Sequence, residues 1–231
     1  MLIVITLTIL TASLVLGGIS SYLVLNTSIF GEKRVQKFRY KANVFKEHFP
    51  LTAFNIVCLY LISGVSLYFL QGIFSFEVPS LAKFVLQVLL FLFIDDTYMY
   101  FYHRALHEST FLFTKIHKIH HKACPPFPLD FMYVHPLEWM LGTVGMTLGL
   151  ITIYLIWGEV NVYTFWLASG FRNFHEVIIH SGVRSAFAHY IPFMGTTEDH
   201  DYHHSKLNGN YSSSFTFWDK IFKTNITPKQ K

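Results

Sequence analysis

Long charge-free apolar runs alternate with short basic connectors along this chain. Residues 2–25 carry no charged side chain, and a helix of that length crosses a bilayer. A secretory signal would need a basic segment ahead of its apolar core and a small-residue cleavage site. Nothing basic precedes Lys33, so the first run is expected to be a span. Residues 51–74 form a second charge-free run. A third helix is expected to start near Leu81. Its strictly apolar part, Phe84–Ile94, is short and is interrupted by Asp95 and Asp96, but a helix from Lys83 to His103 still rises about 30 Å, one hydrocarbon thickness. Residues 139–157 give a fourth run, Gly158-Glu159 reads as a turn, and residues 160–171 give a shorter fifth run that forms a full hairpin or inserts in part. The pattern predicts an all-α, polytopic membrane bundle of about four spans. With no internal repeat, Gly/Ser linker or low-complexity tract, it is expected to be one integral-membrane domain over residues 1–231.

Composition agrees with lipid as the solvent for much of the chain. Of 231 residues, 52% are hydrophobic and only 14% charged, against about 25% charged in soluble domains. The distribution of charge matters more than its net value. Lys33, Arg34, Lys37, Arg39, Lys41 and Lys46 lie between the first two spans; Arg104, Lys115, Lys118 and Lys122 follow the third; Arg172, Arg184, Lys206, Lys220, Lys223, Lys229 and Lys231 follow the last hairpin. With an extracytoplasmic N-terminus, all of these fall on one side, and of 18 Lys and Arg residues only Lys83 falls on the other. The positive-inside rule makes the shared side cytosolic. The expected location is a multi-pass membrane position, the endoplasmic reticulum in a eukaryote or the inner membrane in a bacterium. Cys58 and Cys124 are too few for a disulfide framework or an iron–sulfur centre and are expected as unpaired thiols.

On the same side lie three histidine boxes. His103 and His107 form H-x-x-x-H. His117, His120 and His121 form H-x-x-H-H, and His200, His203 and His204 repeat it about 80 residues later. Helical spacing of i, i+3 and i+4 places such side chains on one face, so each box can aim its imidazoles at one point. Imidazole is the commonest protein ligand of transition metals. Eight exceed what one four- to six-coordinate ion can use, which predicts a dimetal site carried by a cytosolic helical cap. His180 follows the fifth run on the correct side and is a candidate ninth ligand. His175, five residues earlier, is offset by about 140° on a regular helix and joins the site only through a bulged turn. His48 and His189 have no partner pattern and are expected in packing or surface roles. Asp96, nearly in line with His103 on the third helix, is a candidate carboxylate for orienting a metal-bound imidazole. His135 and Glu138, leading into the fourth span, are further candidates for that support, and Glu176, Asp199 and Asp201 are weaker ones. No catalytic group beyond the metal ligands is expected.

These boxes, in this order, resemble the fatty acid hydroxylase superfamily, which includes sterol C4-methyl oxidases, sterol C5-desaturases and sphingolipid fatty acid 2-hydroxylases. The likeness runs from about residue 85 to 224. It includes Asp95-Asp96 leading to Tyr102-His103-Arg104-Ala105-Leu106-His107, then Tyr133-Val134-His135-Pro136-Leu137-Glu138, then His180-Ser181-Gly182. Asn208-Gly209-Asn210-Tyr211 with Phe215-Thr216-Phe217-Trp218-Asp219 completes it. The pattern leans toward the C4-methyl oxidase-like and generic sterol desaturase branch, although Val183-Arg184 stands where the C4-methyl oxidases usually have an aromatic residue.

The resemblance implies two iron ions held by the matching histidines, with zinc as a possible substitute in purified protein and dioxygen as co-substrate. The implied reaction is hydroxylation or desaturation of a sterol or fatty acyl-type C–H bond; both begin with the same hydrogen abstraction. The sequence has no G-x-G-x-x-G loop, cysteine cluster or appended haem domain. The expected electron source is therefore a separate reductase acting with cytochrome b5 or a ferredoxin. The other expected partners are the lipid substrate and the membrane, and no nucleic acid. Phe127, Phe131, Met132, Tyr133 and Trp139 are candidate walls for the substrate. A membrane zinc hydrolase would carry a catalytic glutamate inside its box, as in H-E-x-x-H, and none of the three boxes contains one. A non-enzymatic metal-binding membrane protein would need no cavity for an apolar substrate.

Overall fold

The computed structural model describes residues 1–37 and 40–226; Arg39, Lys229 and Lys231 of the charge pattern lie outside the described residues. Helix α1 (Leu2–Asn26) is followed by α2 (Val44–Leu70) and a two-residue strand β1 (Phe74–Ser75). Next come α3 (Leu81–Glu108) and the short α4 (Thr110–Lys115). Two 3₁₀ turns, His117–Lys122 and Pro128–Met132, lead to α5 (Pro136–Gly142) and α6 (Val144–Trp157). Strand β2 (Val160–Asn161), α7 (Val162–Ile179), α8 (Thr197–Lys206) and α9 (Phe217–Ile221) complete the described chain.

Four helical stretches are long and apolar enough to cross a membrane: Leu2–Asn26, Val44–Ile73, Leu81–Glu108 and Pro136–Trp157. The protein is an all-α membrane bundle with a histidine-rich cap. Asp95 and Asp96 do not interrupt α3, because both carboxylates point into the bundle, 4% exposed each. α2 begins seven residues before its charge-free run and takes Lys46, Glu47 and His48 into the helix. The fifth run is longer than its apolar part. α7 extends through Ile179 and packs against α1, α3 and the Pro128–Met132 turn.

Small residues set the closest approaches, as expected where lipid removes the hydrophobic drive between helices. At Gly145 of α6 a Cβ would lie 2.6 Å from Asp95 Oδ1, and at Gly149 3.3 Å from the Phe91 ring, so α6 can press directly on α3. Gly17 gives α1 similar access to Leu129 and Val177. Several threonine hydroxyls within the spans are satisfied inside their own helices. Thr6, Thr11, Thr97 and Thr152 each donate to the carbonyl four residues back, which is how polar side chains are tolerated in hydrocarbon. α2 is different. It packs against α1 and the Pro128–Met132 turn, while Phe54, Val57, Leu61, Val65 and Phe69 are exposed, a lipid-facing surface. At the end of α3 away from the histidines, β1 and β2 pair in parallel, Phe74 with Val160 and Ser75 with Asn161. Lys83 forms an ion pair with Glu159 at that end.

Candidate metal centre

The cap gathers nine imidazoles into two groups. His103, His107, His117, His121 and His203 form one, and His120, His180, His200 and His204 the other; within each group the donor nitrogens lie within 4.8 Å of one another. His103 and His107 share one group, but the two H-x-x-H-H boxes are not aimed at one point each. Each H-x-x-H-H box gives its i and i+4 members to one group and its middle histidine to the other. Consecutive residues diverge by about 100° on an α-helix and about 120° on a 3₁₀ helix. His120 and His121, or His203 and His204, thus cannot face the same point.

The nitrogen geometry fits metal ions better than hydrogen bonding. The Nε2 atoms of His107, His117 and His121 form a triangle with sides of 2.8, 3.1 and 2.9 Å. A ring N–H points along one direction and cannot serve two such neighbours. Ligands about 2.0–2.1 Å from one ion, at right angles to each other, would be about 3.0 Å apart. In the second group His180 lies between His120 and His200, with Nε2 separations of 3.4 and 2.9 Å, and His200 is 3.1 Å from His204. Nε2 of His203 is buried with no hydrogen-bond partner. Burial, with the neighbouring imidazoles adding to it, holds His200 and His204 well below the ordinary histidine range and pushes His121 down to about 3. The rings are then neutral at physiological pH, the form that binds metal.

Backbone carbonyls fix the opposite nitrogen of three of these rings. His103 Nδ1 donates to the Tyr211 carbonyl, His203 Nδ1 to Gly209 and His180 Nδ1 to Glu176, at 2.7, 2.7 and 2.8 Å. The Asn208–Tyr211 loop thus supplies two of these acceptors. Asp219 holds the loop by accepting the amides of Tyr211 and Ser212 at 3.0 and 2.9 Å. Gly209 is required there, because a Cβ would stand 2.4 Å from the Thr224 carbonyl. Nothing in the sequence marks a backbone carbonyl as an acceptor, so these supports were not among the expected residues; Asp219 could be read only as part of a motif.

Among the expected carboxylates, Glu138 stands beside a cluster. Its Oε1 is 2.9 Å from His117 Nδ1, and its Oε2 is buried without a partner. Asp96 does not reach an imidazole; its Oδ1 accepts the Phe215 amide at 3.1 Å and fastens the C-terminal loop. His135 turns to cap α5 through the Leu137 amide. Glu176 accepts from Ser213 Oγ and lies 3.6 Å from His180 Nδ1. Asp199 pairs with Thr196 at the start of α8, and Asp201 with Gln36. His175 joins neither group. α7 is regular through that turn, so its ring stacks on Phe171 and its Nε2 meets the Ser213 carbonyl. His189 is near Glu198 at the surface, and His48 is buried against Asp130.

A cavity of about 130 Å³ adjoins both groups, reaching His103 and His117 of one and His120, His180 and His200 of the other. Leu59, Met99, Phe131, Met132, Val134 and Trp139 give it an apolar wall, and Arg172, Asn173 and Glu176 a polar one. Phe131, Met132 and Trp139, among the candidate wall residues, line this cavity. Phe127 and Tyr133 do not line the cavity, since they face the other way and stack on His48. Alternation along an irregular turn is not fixed by helical period, so their direction was not readable beforehand.

The fatty acid hydroxylase profile matches residues 88–224. The chain is 37% identical over 164 residues to a methylsterol monooxygenase of Aspergillus fumigatus, covering 67% of this chain and 53% of that protein. It is 38% identical over 148 residues to a putative methylsterol monooxygenase of Dictyostelium discoideum, covering 63% and 53%. It is 36% identical over 139 residues to methylsterol monooxygenase 1 of Rattus norvegicus, covering 58% and 44%. The chain thus spans about half the length of these relatives. No solved structure matches it. With the profile covering more than half of the sequence and all nine clustered histidines inside it, the chain belongs to the fatty acid hydroxylase family.

Proposed function

We propose that this protein is a membrane non-haem di-iron oxygenase that oxidises a C–H bond of a sterol-type lipid. The observation that supports this best is the pair of imidazole clusters bordering one largely apolar cavity within a membrane bundle. In this reading His103, His107, His117, His121 and His203 hold one iron, and His120, His180, His200 and His204 the other. Bound iron would supply the activation of dioxygen and the oxidising power for C–H cleavage. The protein's own part is positioning. The carbonyls of Tyr211, Gly209 and Glu176 hold three rings with Nε2 directed inward. Glu138 faces His117 in the same supporting role. The apolar wall from Phe131 to Trp139 excludes water, and its cavity of about 130 Å³ has room for the reacting end of the lipid. The similarity to methylsterol monooxygenases makes a 4-methylsterol the first substrate to try.

The electrons come from a separate redox protein on the lysine-bearing side, which the charge asymmetry makes cytosolic. Protein purified from iron-supplemented cells is expected to contain two irons per chain and to oxidise a 4,4-dimethylsterol only with dioxygen and a reducing system. Turnover without dioxygen, on zinc alone, would instead favour a hydrolase. Glu138→Gln is expected to keep the fold and lower turnover or metal affinity by about 10–100-fold; wild-type values for both would remove Glu138 from the supporting role.

Topology has its own test. With native cysteines replaced, cysteine at exposed Ser28 and Ser205 is expected to label from the cytosol, and at Val78, 85% exposed, only from the far side. Labelling of positions 205 and 78 from the same side would overturn the orientation.

A further inference from the structure

Asn55 sits in the middle of α2, the helix whose surface otherwise faces mainly lipid, yet it is 0% exposed. Its amide nitrogen donates to the carbonyls of Met132 and Val134, both at 2.9 Å. Its Oδ1 accepts the indole N–H of Trp139 at 3.0 Å. An uncharged but strongly polar side chain at this depth is costly unless every group is satisfied, and here the amide uses both hydrogens.

Seven residues earlier, about 20° away on the same face, His48 makes a second clamp. Its Nδ1 is 2.7 Å from Asp130 Oδ1, and its ring is stacked between Tyr133 and Phe127 at 3.8 and 5.6 Å. The second oxygen of Asp130 accepts the Phe127 amide at 3.0 Å. Both clamps grip one stretch, residues 127–139, in which a 3₁₀ turn and irregular chain lead into the start of α5. That segment gives the cavity Phe131, Met132, Val134, Glu138 and Trp139, and Leu59, one turn beyond Asn55, lines the same cavity. A 3₁₀ turn joined by irregular chain has few internal hydrogen bonds to fix its shape. Its shape is fixed from outside, by α2 through Asn55 and His48 and by α1, where Ser21 Oγ accepts the Leu129 amide at 3.0 Å.

We propose that Asn55, seconded by His48, is a positioning residue that fixes the Phe131–Trp139 wall and thereby decides which lipid bodies fit beside the two imidazole clusters. Asn55 touches no clustered histidine, so its loss acts on fit and leaves the clusters intact. The idea rests on the cavity being the lipid site. The clamp itself does not depend on the clusters being loaded.

The test uses the full-length protein in detergent, with Asn55→Leu, Asn55→Asp, Trp139→Phe and the parent. Asn55→Asp keeps the acceptor for Trp139 and loses both donors; Trp139→Phe keeps an aromatic ring and loses the N–H together with part of the indole's volume. Amide hydrogen exchange over residues 127–139, metal content, and kinetics with a 4,4-dimethylsterol are measured together. In Asn55→Leu, exchange is expected to rise in that segment while two metals per chain remain. KM is expected to rise about tenfold with kcat changed far less, the signature of lost binding fit. Adding the dimethylsterol should protect residues 127–139 in the parent and not in Asn55→Leu. Trp139→Phe should fall between and carries the test if Asn55→Leu does not fold; Asn55→Asp, which turns a buried carboxyl toward two carbonyls, should disturb the segment at least as much as Asn55→Leu. Unchanged exchange in the segment, or loss of metal and kcat in step, would overturn the proposal. A parent that neither binds nor oxidises the sterol, but shows the exchange change on mutation, would refute the sterol reading and keep the clamp.

Discussion

His120→Ala is expected to remove one of two metal ions and His117→Ala the other, although the two residues belong to the same box. His120 stands with His180, His200 and His204, while His117 stands with His103, His107, His121 and His203. Turnover should fall by more than the about 10–100-fold that follows loss of a supporting group, because the proposed two-metal reaction would lose a whole ion. Each single variant should contain one iron per chain, and the double variant should contain none. His203→Ala should behave as His117→Ala does, and His204→Ala as His120→Ala does. His175→Ala should keep both ions, since its ring is engaged with Phe171 and Ser213. Two ions with normal turnover in His120→Ala, or a lost ion in His175→Ala, would show that the crossed grouping is wrong.

Arg172→Leu carries the largest expected effect on stability. The Arg172 guanidinium is 2.8 Å from Asp95 Oδ2, with the two side chains 15% and 6% exposed. The other Asp95 oxygen has no partner, and Gly145 leaves no room for a replacement group beside it. Removing the arginine strands a buried carboxylate between α3 and α7, a loss of about 3–5 kcal/mol for breaking one side of a buried pair. Thermal unfolding in detergent should show a clearly lowered midpoint. Adding Asp95→Asn to Arg172→Leu should recover much of it, because the uncompensated charge goes with its partner. An unshifted midpoint in the single variant would mean that water or lipid headgroups already reach Asp95.

Much of this architecture was readable beforehand because its signals are local. A bilayer requires continuous apolar helices with their backbone groups satisfied internally, so the runs near residues 2–25, 51–74 and 139–157 announced themselves as spans. The histidine boxes were visible for a similar reason: fixed spacing on a helix is a property of neighbouring residues. Asp95 and Asp96 were harder to place. In sequence they look like the end of an apolar run, but Arg172 and the Phe215 amide, distant in the chain, let α3 continue past them.

What the sequence determined by itself was the bundle and the histidine-rich set of residue types that its cap gathers. What only the tertiary structure decided was how those residues divide. His203 of α8 is grouped with His103 and His107 of α3 because two helices and a 3₁₀ turn meet at one place. His180 lies between His120 and His200, while His175, on the same helix, is turned away. The partners that hold the His103 and His203 rings are backbone carbonyls of a loop tied by Asp219, and the wall of the cavity is tied by Asn55. Periodicity reports which face of one element is apolar or ligating. It carries no information on which other elements that face will meet, and both ligand grouping and cavity shape depend on those long-range contacts.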